Sequence, residues 1–461
     1  MERPLVAMQS LDNTQDVTVC RNCLGFAGDV ISQLELLSGV PRHECLENFE
    51  ERHHGNLPAE GHGALSGFHD CLQGCGEVYC SPRCRAEHFE RCHWLLCVGP
   101  VPEEEAPTHP LVAFRVHAMQ TNEIFLLVGE VVAQIAATIL AARSTNTGDG
   151  RHRGGDLGAA EAPFADFVQE HWWDVAVPRE APTTAAVGDD GELTSAGAAP
   201  SVNCCKEDLA VSLSDTLRSL CEESSALLRD ALGRASPGLE GVATADRFGR
   251  VVGMFEQNNV GVRVKSPIPM LLRELVVLGG DGRGGELVGE AAALVGMLEG
   301  TEEEESDCGS SNCNDEEDSS CGGGEHAEVE CAAAAADAGV NANGLENPLE
   351  VLASAAAAGS DGDGNHELFA PLDGTSLYSL VCCMNHSCRP NCVVRYPGRR
   401  ERAGVERADP LVAQVVLLED VGAGEELTQS YVDKGMGLVE RRSALEDYGF
   451  LCRCPRCVEE E

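Results

Sequence analysis

Cysteines in short-spaced pairs constrain this chain more than any other feature. Cys20 and Cys23 are two residues apart, Cys71 and Cys75 three, Cys80 and Cys84 three, and a last group holds Cys92, His93 and Cys97. Tetrahedral zinc takes four sulfur or nitrogen donors, and a short-spaced pair places two of them on one knuckle. The spacing predicts two structural zinc sites built from alternating pairs. Cys20, Cys23, Cys80 and Cys84 are expected on one ion; Cys71, Cys75, Cys97 and one residue of the last group on the other. Two candidates compete for that place. His93 fits an H-x3-C ending and is preferred, while Cys92 stands at the expected distance from Cys84. Cys45, in the long intervening loop, is a further competitor. The bland alternative, a set of buried free thiols, does not account for four ordered pairs. A zinc pair of this kind stabilises a small domain that lacks a core of its own.

The remaining composition agrees with a multidomain chain in a reducing compartment. The 461 residues are enough for two or three domains. All 23 cysteines follow a start, Met1 to Val6, without an apolar signal stretch. Clustered cysteines then favour zinc over disulfides, and nucleus and/or cytoplasm is the expected location. The 33 basic and 76 acidic residues leave a net charge of −43. That argues against direct nucleic-acid binding by phosphate neutralisation and suits a basic protein client. The apolar run Ile124 to Ala142 contains Glu130 and Gln134. It is expected as a buried helix, with no membrane contact.

Along the chain, residues 109–143 read as helical. Gly/Ala-rich gaps at 144–162 and 181–203 flank an aromatic patch of Phe164, Phe167, Trp172 and Trp173. Leu209, Leu213, Leu217 and Leu220 recur at the spacing of an amphipathic helix over 207–232. Residues 279–371 carry Glu302 to Glu305 and Asp315 to Asp318 among Gly, Ser and Ala, a composition expected to be disordered or a mobile insertion. Its scattered Cys308, Cys313, Cys321 and Cys331 read as incidental, and His43, His53, His54 and His62 as solvated. Strands are expected at 377–383, 411–418 and 425–431, with a turn at 420–424. Cys382 and Cys383 are taken as small buried hydrophobes.

Three separated C-terminal pieces complete the pattern. They are Asn385-His386-Ser387-Cys388-Arg389-Pro390-Asn391, a Gly-Glu-Glu-Leu-x-x-Ser-Tyr segment ending at Tyr431, and Tyr448-Gly449-Phe450-Leu451-Cys452-Arg453-Cys454-Pro455-Arg456-Cys457. In this order they resemble the SET domain of protein-lysine methyltransferases. Tyr79-Cys80-Ser81-Pro82-Arg83-Cys84 resembles the signature of MYND zinc fingers, although the loop from Cys23 to Cys71 is far longer than usual. Together they resemble the SMYD (SET and MYND) family, most of all its divergent fifth member. The resemblance covers Met1 to about Pro110, Phe248 to Pro267 and Asp373 to Cys457.

That resemblance implies an α+β fold: a mainly β SET core with a pseudoknot, split by a MYND-type finger, with a helical insert and a post-SET zinc tail. The implied map is a remnant of the SET N-terminal part at 1–19, the finger with its inserted loop at 20–97, a helical segment at 98–143 and a low-complexity insertion at 144–206. Helix and SET-insert or core segments follow at 207–278, the acidic segment at 279–372, the catalytic core at 373–433 and the post-SET tail at 434–461. The implied activity is transfer of methyl groups from S-adenosylmethionine to lysine of a histone or basic non-histone protein. Asn385, His386, Asn258, Tyr431 and Phe450 would contact the cofactor, Tyr431 being the catalytic tyrosine. Tyr448 and Phe450 would line the lysine channel. Cys388 with Cys452, Cys454 and Cys457 would hold a third zinc, and the finger would be a candidate for Pro-rich peptides. Family members place a Gly-rich GxGLFA strand-turn before the segment matching Glu2 to Val6, so either an N-terminally truncated form, the preferred reading, or an incomplete cofactor pocket is expected. The alternative function is a catalytically inactive scaffold that recruits partners through its finger.

Overall fold

The computed structural model describes residues 1–28, 68–102, 104–145, 157–176, 203–266, 268–280, 348–358, 369–396, 411–446 and 448–461, with positions 288, 289, 292 and 295. Expectations for the finger loop with Cys45 and its histidines, and for the acidic stretch with its four cysteines, lie outside the described residues.

A three-stranded antiparallel sheet joins the ends of the chain. β1 (Val6–Gln9) pairs with a distant strand, Leu372–Leu377, which also pairs with Val260–Val264 on its other side. The middle strand contains Gly374 because a side chain has no room there: a Cβ would lie 2.4 Å from the Met8 carbonyl oxygen. Asn13 fastens the same edge. Its Nδ2 donates to the Pro371 carbonyl at 2.9 Å and its Oδ1 accepts from the Asp373 N–H at 3.0 Å.

Between these strands lie the finger and the helices. The finger hairpin is β2 (His69–Asp70) with β3 (Val78–Tyr79), followed by α1 (Pro82–His88). Ser81 caps α1 by accepting from the Cys84 N–H, and Pro82 sits in the first turn, where its missing donor costs nothing. The expected helix over 109–143 is two helices, α2 (Pro110–Thr121) and α3 (Ile124–Thr145), broken where the Asn122 side chain accepts the Ile124 N–H. By length and composition α3 could cross a membrane. In the fold Phe125, Leu127, Val128, Val131, Val132 and Ile135 are buried in protein. It touches β1, the finger and the helical insert, and so forms the hub of the main core.

The insert comprises α4 (Trp172–Val175), α5 (Asn203–Ala235) and α6 (Ala245–Asn258). Thr244 caps α6, which turns Phe248, Val251, Val252, Met254 and Phe255 inward. Gly253 lets the chain before α4 pass close by: a Cβ there would lie 2.0 Å from the Glu170 carbonyl oxygen. β4 (Val260–Val264) follows, then α7 (Ile268–Gly280). Against α7 packs α8 (Pro348–Ala358), with Leu352 and Ala355 buried. The 279–371 segment therefore contains an ordered apolar helix, and composition alone concealed it.

The remaining strands are short: β5 (Leu372–Leu377), β6 (Asn385–His386), β7 (Cys392–Arg395), β8 (Gln414–Leu417) and β9 (Thr428–Gln429). Helices α9 (Leu438–Glu446) and α10 (Pro455–Glu459) close the chain. The architecture is α+β, and helices supply most of its regular structure, more than a mainly β expectation allows. The strand expected at 377–383 ends at Leu377; Val381–Cys383 is a 3-10 turn. The Glu2 carboxylate imposes that turn by accepting the N–H groups of Leu380 and Val381 at 2.9 and 3.0 Å. The strand expected at 425–431 is confined to β9, and that expected at 411–418 to β8 with a bridge at Ala413. Cys382 is half-buried and packs against the core, as a small hydrophobe can, whereas Cys383 is exposed and is not a core residue.

Candidate active site and metal-donor clusters

The parallel pair β6–β9 brings the Asn-His-Ser-Cys string beside Tyr431. Asn391 holds the crossing: its Oδ1 accepts the Thr428 N–H and its Nδ2 donates to the Glu426 carbonyl, both at 2.8 Å. Sequence reasoning quoted Asn391 within the motif without giving it a task. Its residue type is the signal, since a side-chain amide can satisfy a crossing strand as donor and acceptor at once. The Ser387 N–H completes the seam on the Gln429 carbonyl at 2.9 Å.

Four rings converge there. Tyr431 lies 5.3 Å from His386, 5.0 Å from Tyr448 and 6.4 Å from Phe450, and His386 lies 5.9 Å from Phe450. Tyr448 is 51% and Phe450 38% exposed, so this aromatic cluster opens to solvent. The Tyr431 hydroxyl donates to the Met384 carbonyl at 2.7 Å. Burial, reinforced by the neighbouring Tyr448, pushes its pKa up and keeps the phenol protonated. Burial and Arg441 push the His386 pKa down. Asn385 donates to Glu426 at 2.5 Å at the exposed edge of the same group. Asn258 does not join through any hydrogen bond: its Nδ2 donates to the Val168 and Met254 carbonyls at 3.0 and 2.8 Å.

Twelve predicted donors fall into three sets: Cys20, Cys23, Cys80 and Cys84; Cys71, Cys75, His93 and Cys97; Cys388, Cys452, Cys454 and Cys457. A tetrahedron of Zn–S bonds near 2.3 Å has edges of roughly 3.8 Å. Cys23–Cys80 and Cys80–Cys84 span 3.7 and 3.5 Å. Cys71–Cys97 spans 3.7 Å, with His93 Nε2 at 3.4 Å from both Cys71 and Cys75. Cys388 lies 3.9 Å from Cys452 and 3.5 Å from Cys457. Each set thus fits one four-coordinate soft cation. The thiols in a set compete for charge: hydrogen bonds from Cys20 and Cys23 pull Cys80 down to about 7, while Cys23 is driven up. A dication would relieve that competition. Burial lowers His93 to about 4, leaving the neutral imidazole a metal needs. Of the two rival residues, His93 faces the sulfurs and Cys92 is buried in the core beside Leu95.

Sequence reasoning missed the group under the finger. His88, Cys92 and Glu130 are buried together. The Glu130 carboxylate is taken by the Arg21 guanidinium, and His88 Nδ1 shares a 2.9 Å hydrogen bond with the Tyr79 hydroxyl. This is a charge network tying finger to α3, with a cation already at the carboxylate. A cavity of about 450 Å³ adjoins it, and Glu77 there pairs with Arg115 at 3.1 Å. None of the C-terminal motif residues lines that cavity.

Comparison with known proteins finds a family match in the C-terminal part of the chain. Residues 282–432 match the SET domain family. A relative named for its SET and MYND domains is among the proteins this chain resembles. A SET and MYND domain-containing protein of Dictyostelium discoideum is 34% identical over 106 residues, 22% of this chain and 28% of the relative. The human protein-lysine N-trimethyltransferase SMYD5 is 33% identical over 96 residues, 20% of this chain and 21% of the relative. The histone-lysine N-methyltransferase ATXR2 of Arabidopsis thaliana is 26% identical over 400 residues, 85% of this chain and 62% of the relative. The chain therefore spans less than two thirds of each of these relatives. The region matching the SET domain family ends at Val432, one residue past Tyr431, and the three tail cysteines, Cys452, Cys454 and Cys457, follow it.

Proposed function

We propose that the chain is an S-adenosylmethionine-dependent protein-lysine N-methyltransferase acting on a histone or another basic protein, in the nucleus or cytoplasm. The observation that carries this reading is the open aromatic group of Tyr431, His386, Tyr448 and Phe450 at the β6–β9 crossing, with Tyr431 and His386 inside the residues that match the SET domain family. When bound, the cofactor supplies an electrophilic sulfonium methyl. Aromatic faces suit both cations involved, the sulfonium and the methylated ammonium. Tyr448 and Phe450 would form the channel for the lysine stem, and burial among rings favours the neutral amine that must attack. The protonated Tyr431 hydroxyl is a polar group fixed at the inner end of that channel, and alignment of the two reactants supplies much of the rate. Asn385 and His386, on the short strand that crosses Tyr431, are the residues to hold the cofactor, with Asn258 and Phe450 in supporting roles.

Zinc is the soft cation proposed for the three donor sets, two in a MYND-type finger and one in a post-SET tail. The β6–β9 crossing is proposed as the SET pseudoknot, and the finger as a site for Pro-rich peptides. The exposed carboxylates of Glu426, bonded to Asn385, and Asp433, two residues after Tyr431, favour a basic client. The test is methyl labelling of Lys-rich proteins by purified chain with labelled cofactor, beside Tyr431→Phe. Transfer that depends on Tyr431 supports the reading. Absence of both cofactor binding and labelling removes it and leaves the scaffold alternative.

A further inference from the structure

His386 touches the candidate catalytic tyrosine with one ring nitrogen and a metal-donor sulfur with the other. Its Nδ1 accepts the Tyr431 backbone N–H at 3.0 Å. An imidazole nitrogen that accepts a hydrogen bond holds no proton, so with Nδ1 accepting the ring carries its proton on Nε2. That nitrogen lies 3.3 Å from the Sγ of Cys388. Cys388 is the one member of its four-sulfur set that comes from the β6 side of the site; Cys452, Cys454 and Cys457 come from the tail. Phe450, next to the tail cysteines, packs on the same imidazole at 5.9 Å.

We propose that His386 is a positioning residue that makes the placement of Tyr431 depend on the metal state of the Cys388–Cys452–Cys454–Cys457 cluster. The claim rests on Tyr431 being the catalytic tyrosine. A metal-bound sulfur is a thiolate, and a charged acceptor roughly doubles the strength of the N–H···S contact. With the cluster loaded, the imidazole is fixed in tautomer and rotation, and Nδ1 stays under the Tyr431 N–H. With the cluster empty, Cys388 is a weakly accepting thiol. The ring is then free to turn, and the tyrosine loses a backbone anchor. Reciprocity requires that losing the imidazole also weaken the metal.

The test uses the full chain loaded with cadmium-113, with His386→Ala and His386→Asn. Asparagine keeps an acceptor where Nδ1 stands and lacks the reach of Nε2. Both variants should move the cadmium resonance that Cys452→Ser abolishes and leave the other two resonances in place. Hydrogen exchange at the Tyr431 amide should rise tenfold or more in His386→Ala and far less in His386→Asn. Stripping the metal from the wild type should reproduce the fast exchange. A cadmium resonance unmoved by His386→Ala, or Tyr431 exchange indifferent to metal, overturns the proposal. Neither readout needs methyl transfer, so failure of the enzyme reading is seen separately. In an active preparation, loss of such an outer contact should lower kcat by about tenfold to a hundredfold.

Discussion

Arg21, inside the first cysteine knuckle, forms an ion pair with Glu130 on α3. Glu130 is 2% exposed, so its charge has no recourse to water. Removing the cation alone should therefore be worse than removing both. Arg21→Met is expected to cost about 3–5 kcal/mol, and Arg21→Met with Glu130→Met much less. Urea unfolding of zinc-loaded protein measures both, and equal losses in the single and double variants would count against the pairing.

The same pair sets a pH dependence. Burial opposes ionisation of Glu130, but Arg21 and then His88 outweigh it and hold the carboxyl at about 2, below the ordinary 4.5. A depressed carboxyl contributes stability that is fully present above its unfolded pKa and is lost as pH falls through the folded one. The stability difference between wild type and Glu130→Gln should stay flat from neutral pH down to about 4.5 and shrink below it. A difference that changes between about pH 8 and 5 would contradict the assignment.

Tyr431→Phe separates chemistry from architecture. The variant loses one hydrogen bond, to the Met384 carbonyl, worth about 0.5–1.5 kcal/mol. On the proposed function, methyl transfer should fall by roughly a hundredfold or more, the usual effect of deleting one preorganised polar group. Thermal unfolding and labelling, measured on the same preparation, give the two numbers.

Metal content offers a fourth check. Elemental analysis should find three zinc ions per chain, one for each four-donor set. Cys452→Ser should lower the count by one and loosen Tyr448 and Phe450, which adjoin the tail cluster. Chelation should unfold the finger, whose small core consists of Cys20, Cys71 and Tyr79 with the remaining sulfurs around them.

Gly253 reports on the helical insert. A Cβ there meets the Glu170 carbonyl at 2.0 Å, and both partners are backbone or backbone-bound, so neither swings away. Gly253→Ala should cost about 1–3 kcal/mol despite the better helix propensity of alanine. Circular dichroism melts would expose a stabilising outcome if the contact is absent.

How far the sequence was legible follows from how local each cause is. The cysteine pairs could be sorted into metal sets because donors to one ion must meet in space. Choosing between Cys92 and His93 was beyond spacing. The segment Phe89–His93 is a π-helical turn, and the wider turn alters which neighbour faces the sulfurs. The apolar run after Leu377 resembled a strand because periodicity is blind to Glu2, whose carboxylate caps the turn from the other end of the chain. Glu130 was visible as an oddity in an apolar helix, but its partner Arg21 is fixed only by the fold. The ordered helix at Pro348–Ala358 was masked by its acidic surroundings.

The central position of β5 has a consequence for how the molecule is made. Its neighbours β1 and β4 are both synthesised well before it, and Val6 waits for Leu377. Until then the nascent chain carries two strand edges facing an empty slot, a template for pairing with other chains. Closing so distant a contact is slow. The β1–β5–β4 sheet is therefore a late checkpoint in biogenesis. A ribosome stalled before residue 372 would release a product with its N-terminal cysteine clusters able to form and its sheet unable to close.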